Sequence, residues 1–445
     1  MPAVVGSAPA FKGPLPKYLI HMKNILCTGI VVFTALIGNA FGQTQSYIPS
    51  PTPSRVVVTT TMPAATTSVP AIRPRITTTP EPRPTQSMPI TSTSPAAPSQ
   101  ASNLNYKGLT FTQIKSKIAE AKREMQTRPM NTVSVEPVSL TSTVRIAFYD
   151  QKEKRIDYIT LAKDAFLTPN VPFTAISSHG RRVTSNTLRA NGVNTPVTIV
   201  DDEGRYQLPL LIQYPVEKGG RYIETAYYMS THPGLVTPEV VSAGRLYVHN
   251  VIEIARDQLR LKGQFIQPKV ADIAERLATV EHVDHTRFRT EFQPNIFNDI
   301  FTLYALNEGQ TYRYSVSSAG AGGMVQMIPS TYFMIRNRYP NAGLMPDFVE
   351  GMRNHVNATQ AMLLYMQMTW NDLIANPTIS NSIQTGIANQ QKLMAAGYNS
   401  NPAKLAGYIE RGGAGWTFLI PRETQIYLQI YDSLERAVAV PPRDH

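Results

Sequence analysis

The chain has 445 residues, more than one hydrophobic core usually serves, since single cores stop growing near about 250 residues. With 42% hydrophobic and 16% charged residues it can build a buried core, yet 35 prolines exclude regular structure throughout. Lys plus Arg (42) exceed Asp plus Glu (31) by +11, which favours an anionic partner, and the single cysteine, Cys27, excludes a disulfide framework or a cysteine-based zinc site.

From Lys23 to Gly42 a basic flank, an apolar run and the small residues Gly38, Ala40 and Gly42 follow the order of an export signal. Met22 stands where such a signal begins, so residues 1–21 read as an over-extended start. Residues 22–42 fit either a cleaved signal peptide or an uncleaved membrane anchor; the run from Ile25 to Phe41 is slightly short of the roughly 20 residues of a spanning helix. Both readings put the remainder outside the cytoplasm, in the periplasm or cell envelope, which argues against nucleic acid as a partner and limits membrane contact to an uncleaved anchor. Residues 43–105 are dominated by Thr, Pro and Ser without a hydrophobic period. They predict a disordered linker, reaching on the order of 100–170 Å at roughly 3 Å per residue.

Residues 106–235 predict a small β-rich accessory domain with a leading helix. Leu109–Arg128 has helical spacing but few large apolar residues, the pattern of a surface helix. TVRIAFYD, RIDYITLA, TPVTIVDDEGRYQLPLLIQYPV and RYIETAYYMS are rich in Val, Ile, Tyr and Thr, and Asp201–Gly204 reads as a hairpin turn. That acidic turn lacks the alternating oxygen ligands of a calcium loop.

Residues 236–440 predict an α-helical domain. Thr237 and Pro238 start a helix that Gly263 ends, and Pro268 opens a second through Ile273, Leu277, Val280 and Val283. His282, Asp284 and His285 follow; they lack metalloprotease spacing and a third ligand, and read as solvated, so no metal is expected. A third helix from Pro294 carries Ile296, Phe297, Ile300, Phe301 and Tyr304 on one stripe and delivers Glu308 at its end. The chain then enters GQTYRYSVSSAGAGGMVQMIPSTY, with glycines at 320, 322 and 323. A carboxylate at the end of an apolar helix, facing glycines that let backbone approach a ligand, suits a general acid whose partial burial keeps it protonated.

This string resembles the soluble lytic transglycosylase and goose-type lysozyme superfamily. Glu308 falls on the catalytic glutamate, Ser317 on the motif serine, Gly320 and Ala321 on the Gly-Ala pair, and Gly323 on the next glycine. Met324, Val325 and Gln326 replace Leu-Met-Gln, and Pro329 and Thr331 close the match. Farther on, Asn357, LAGYIERGG with Tyr408, and IPRETQIYLQIY with Pro421, Glu423, Thr424 and Tyr427 are similar to later family segments, so the resemblance spans about residues 294–431. Three positions depart from it: Gly309 for serine, Ser315 for alanine, and Ile409 for the asparagine of the family's AYN segment. A neighbouring GYN, Gly397–Asn399, retains an asparagine in another register.

The resemblance implies a lysozyme-like helical domain and cleavage of the MurNAc–GlcNAc bond of peptidoglycan with formation of a 1,6-anhydro end. Glu308 would be the single acid and base, without cofactor. Ser317, Gly320, Met324, Gln326, Tyr408 and Tyr427 would bind the glycan, with Glu423 behind them. Peptidoglycan carboxylates suit the positive net charge. The alternatives are a hydrolytic lysozyme on the same fold, or a catalytically weak wall-binding scaffold within an envelope secretion or conjugation machine.

Overall fold

The computed structural model describes residues 108–127 and 142–443; the export segment and the linker lie outside the described residues. The described chain has a sheet part followed by a helical part. Among its helices none is long and apolar enough to cross a membrane.

The sheet part opens with α1 (Phe111–Thr127), read from sequence as a surface helix, which in fact buries Ile114, Ala121 and Met125. Seven antiparallel strands follow: β1 (Thr143–Asp150), β2 (Arg155–Ala162), β3 (Phe173–Ile176), β4 (Arg182–Thr187), β5 (Val197–Asp201), β6 (Tyr206–Lys218) and β7 (Arg221–Tyr228). A short helix, α2 (Lys163–Phe166), interrupts them after β2. The order is β2-β1-β6-β5-β4-β3, with β7 also on β6. Ser178 N–H, just past β3, donates to the Tyr158 carbonyl of β2 at 2.9 Å, which curls the sheet back toward its first edge as in a barrel. The expected hairpin at Asp201–Gly204 is present. Its Asp201 carboxylate accepts the N–H groups of Glu203 (3.0 Å) and Arg205 (2.8 Å) and pairs with Arg181 (2.8 Å), so the acidic turn is engaged by its own chain. β3 and β4 escape a hydrophobicity reading because FTAI is only four residues long and RVTSNT is largely polar.

The helical part comprises α3 (Pro238–Leu261), α4 (Pro268–Val280), α5 (His285–Thr290), α6 (Gln293–Asn307), α7 (Pro329–Arg338), α8 (Phe348–Arg353), α9 (His355–Ala375), α10 (Pro377–Gln384), α11 (Gln390–Asn399), α12 (Leu405–Gly412) and α13 (Arg422–Ala437). Proline at the first turn starts α3, α4, α6, α7 and α10, where its missing N–H costs no helical bond. The Thr237 hydroxyl caps α3 by accepting the Val240 N–H. α4 is central: ten of its 13 residues are buried, with Lys269 at its start exposed, and it packs on α3, α6, α9, α11 and α13. Its buried Asp272 and Glu275 are compensated by Arg443, which also reaches Glu253.

Two hydrophobic cores result, one in each part, and α3 and α6 contribute to both. Val240 of α3 and Leu303, Ala305 and Leu306 of α6 join the sheet core, while Val248, Ile252, Phe297 and Phe301 join the helical one. The Asn307 side chain fastens the join, accepting the Met229 N–H and donating to the Met229 carbonyl, both at 2.8 Å. The two helices approach closely at Gly244, where an added Cβ would lie 1.8 Å from the Phe301 carbonyl oxygen. Gly244→Ala is therefore expected to lower stability by about 3 kcal/mol through overpacking. Gly309→Ser, at a site with nothing nearer than the Tyr247 hydroxyl at 3.9 Å, should leave the urea midpoint nearly unchanged. Urea unfolding of both variants checks the contrast.

Candidate active site

The glycine-rich segment folds as a self-bonded loop. Ser317 N–H donates to the Ala321 carbonyl (2.9 Å), Gly320 N–H to the Ser317 carbonyl (2.9 Å), and Gly322 N–H to the Met327 carbonyl (3.1 Å). Gly323 has φ +67°, and a Cβ there would lie 2.5 Å from the Met352 carbonyl oxygen, so this position requires glycine. Gln326, at φ 46°, directs its amide to the Ser315 hydroxyl (3.1 Å) and the Gly323 carbonyl (2.8 Å). The exposed Ser317 accepts the Ala321 N–H on its hydroxyl at 3.0 Å. Ser317, Gly320 and Gln326 thus set the loop's shape.

The expected acid does not sit where burial would keep it protonated. Glu308 caps the C-terminus of α6 with φ 43°, its side chain is 52% exposed, and Lys115 of α1 holds it in an ion pair. It does not line the large cavity of the molecule. Spacing from the glycine loop selected Glu308; it carries no information on which side of the helix end faces water.

That cavity, about 800 Å³, lies between the sheet part and the helical part. Among its lining acids, Glu217, Glu281, Asp284 and Asp299, Glu281 is the residue that ends α4. Its carboxyl is open to the cavity yet surrounded by protein, and burial pushes its pKa from 4.5 up to about 8. A hydrogen bond from the Tyr427 hydroxyl, at 2.6 Å, opposes that rise, and the negative charge of Glu423 adds to it. A helix C-terminus presents carbonyl oxygens, which likewise disfavour an anion.

Residues singled out in the sequence converge on Glu281 and its neighbour His282. The Tyr427 phenol bonds Glu281, and the carbonyl of the fully buried Met324 meets His282 Nε2 at 2.9 Å. His282 is enclosed, contrary to the solvated histidine expected; its ring stacks on Tyr312 with centroids 3.3 Å apart. Burial pulls its pKa down to about 3, so it is a neutral imidazole near neutral pH. Asp284 caps α5 through the N–H groups of Thr286 and Arg287. Among the described residues no group of three His, Cys, Asp or Glu side chains is arranged to hold a metal ion.

The two tyrosine registers separate clearly. Tyr408 sits half-buried on α12 with Arg411 over its ring at 5.3 Å, away from the glycine loop. Tyr398, at the end of α11, donates its hydroxyl to the Val325 carbonyl of that loop at 2.7 Å, and its own pKa is raised by burial and then by the charge of Glu281. Asn399 accepts the Thr424 hydroxyl at 2.8 Å. The GYN segment therefore ties the glycine loop to the start of α13 through Tyr398 and Asn399. Ile409 is buried in the helical core, which explains an apolar side chain there.

No protein-family model, curated protein or solved structure matches this chain.

Because Glu281 binds its proton more tightly folded than unfolded, its contribution to stability is complete below about pH 4.5 and is lost as pH rises through about 8. Melting temperatures across that range should fall less steeply for Glu281→Gln than for the wild type.

Proposed function

We propose that the protein is a peptidoglycan lytic transglycosylase whose acid and base is Glu281, acting outside the cytoplasm on glycan strands. The observation that carries this reading is the Glu281 carboxyl placed at the end of a buried helix, where burial raises its pKa. It opens onto a large cavity and is held by Tyr427 beside the glycine loop. The helical part, with its acid at the end of a central apolar helix, is read as lysozyme-like, and the loop's likeness to the transglycosylase pattern supplies the substrate class.

In this mechanism the Glu281 carboxyl donates its proton to the oxygen linking C1 of N-acetylmuramic acid to C4 of N-acetylglucosamine. The C1–O bond breaks and the N-acetylglucosamine leaves with the proton. The Glu281 carboxylate then takes the proton of the muramyl 6-hydroxyl as that oxygen closes on C1, giving the 1,6-anhydro ring and restoring the acid. One carboxyl serves both steps, so the paired carboxylates of ordinary glycosidases are not required. Tyr427 keeps the carboxyl oriented toward the cavity, and the neutral His282 holds the loop through Met324. A proton donor with a pKa near 8 remains loaded at neutral pH.

Turbidity loss of purified sacculi tests the assignment. Glu281→Gln should reduce the rate at least about a thousandfold, the upper range for removing an acid that serves in both steps, and Glu308→Gln should retain most of it. The wild-type rate should decline as pH rises through about 8. Released muropeptides should carry the anhydro mass; products one water heavier would indicate hydrolysis on the same site. Equal turbidity loss for wild type and Glu281→Gln would remove Glu281 as the acid.

A further inference from the structure

The sheet part supplies one wall of the Glu281 cavity through the segment after β4, which runs from Arg189 to Asn194, together with Lys163 and Tyr214. Three cations face the space: Lys163, Arg189 and Arg287. Two of them are engaged. Lys163 pairs with Glu217 at 3.2 Å, and Arg287 pairs with Glu291 at 2.8 Å and Asp299 at 2.7 Å. Asp284, the remaining cavity acid besides Glu281, has one carboxylate oxygen occupied by the backbone N–H groups that open α5.

Arg189 is different. Its guanidinium is partly buried, yet among the described residues no carboxylate comes within ion-pair distance of it. Burial and the neighbouring charge of Arg287 both press against its own charge, with Asp299, Glu291 and Asp284 relieving this only at longer range. A desolvated guanidinium without a counter-charge is costly, and its planar fork matches a carboxylate. Around it stand groups suited to a polar ligand: the amides of Asn191 and Asn194 and the rings of Tyr214 and Tyr312. The volume lies within the range of small-ligand pockets.

We propose that Arg189 binds a free carboxylate of the peptide stem carried by the glycan, so that the sheet part selects peptide-bearing strands for the Glu281 site. This rests on the transglycosylase reading for the identity of the substrate; the carboxylate recognition itself stands on the cavity and its unmatched cation. The guanidinium binds and does no chemistry. Removing it therefore raises KM for peptide-bearing strands and leaves the turnover of bound substrate in place.

Calorimetric titration with a disaccharide-tetrapeptide muropeptide, which has no MurNAc–GlcNAc bond to cleave, tests this apart from catalysis. Arg189→Gln is expected to weaken binding at least about tenfold, with a melting temperature no lower than that of the wild type and partial recovery of binding in Arg189→Lys. The same muropeptide with its carboxylates amidated should bind the wild type as weakly as the acid form binds Arg189→Gln. Equal affinity of wild type and Arg189→Gln for the acid form overturns the proposal, as does equal affinity of the wild type for acid and amidated forms. If Arg189-dependent binding is found while sacculi stay intact, the carboxylate site stands and the transglycosylase reading falls.

Discussion

A carboxyl group can be kept from water only if the surrounding protein both satisfies its hydrogen bonds and holds its shape, and at Glu281 these tasks fall to elements distant in the chain. α4 delivers the group, and because ten of its 13 residues are buried the helix cannot shift without opening the core. α13 provides the phenol of Tyr427. α11 provides Tyr398, which pins the glycine loop at Val325. The backbone geometry of that loop, with Gly323 against Met352, then fixes Met324 under His282. Each contact is local, and together they leave the carboxyl one open direction, toward the cavity.

The second constraint is the sharing of α3 and α6. Each buries one face in the helical core and gives residues from its other side to the sheet core, so the two parts meet across continuous apolar packing. The cavity forms at this meeting, where strand ends and helix ends bring charged and polar groups together without enough apolar surface to close the gap. Its walls are consequently of mixed origin: a carboxyl from the helices and an unmatched guanidinium from the sheet part.

Much of this was legible in the sequence. Proline starts and the Thr237 cap marked the helices, and β-branched and aromatic runs marked the longer strands; the four-residue β3 and the polar β4 gave no clear periodic signal. The glycine loop, Met324 and Tyr427 were recognisable, and Tyr427 and Met324 meet Glu281 and His282. Linear spacing singled out Glu308, but a sequence does not say whether a helix end opens to solvent or to protein, and Glu308 is half exposed beside Lys115. Glu281 had no comparable signal: α4 carries Lys269, Asp272, Glu275 and Arg276 among its apolar residues, and the burial of two of these rests on Arg443, far along the chain. Glu281 was overlooked beside His282, Asp284 and His285, which looked like a solvated polar cluster. Tyr398 and Tyr408 occur in similar strings, and only the fold, through the Val325 carbonyl and Asn399, tells them apart.

The shared helices also bear on how such a chain can diverge. Exchanging the sheet part for another would strip the cover from Val240, Leu303, Ala305 and Leu306 and force compensating changes within α3 and α6, one of which carries Gly244 against a neighbour's backbone. Wholesale swapping is therefore obstructed. The turn from Arg189 to Asn194 is less restrained: only Val193 is buried in the sheet core, and the others lie between strands that need not move when their side chains change. New ligand preferences can arise there by single substitutions, with the buried end of α4 inherited unaltered.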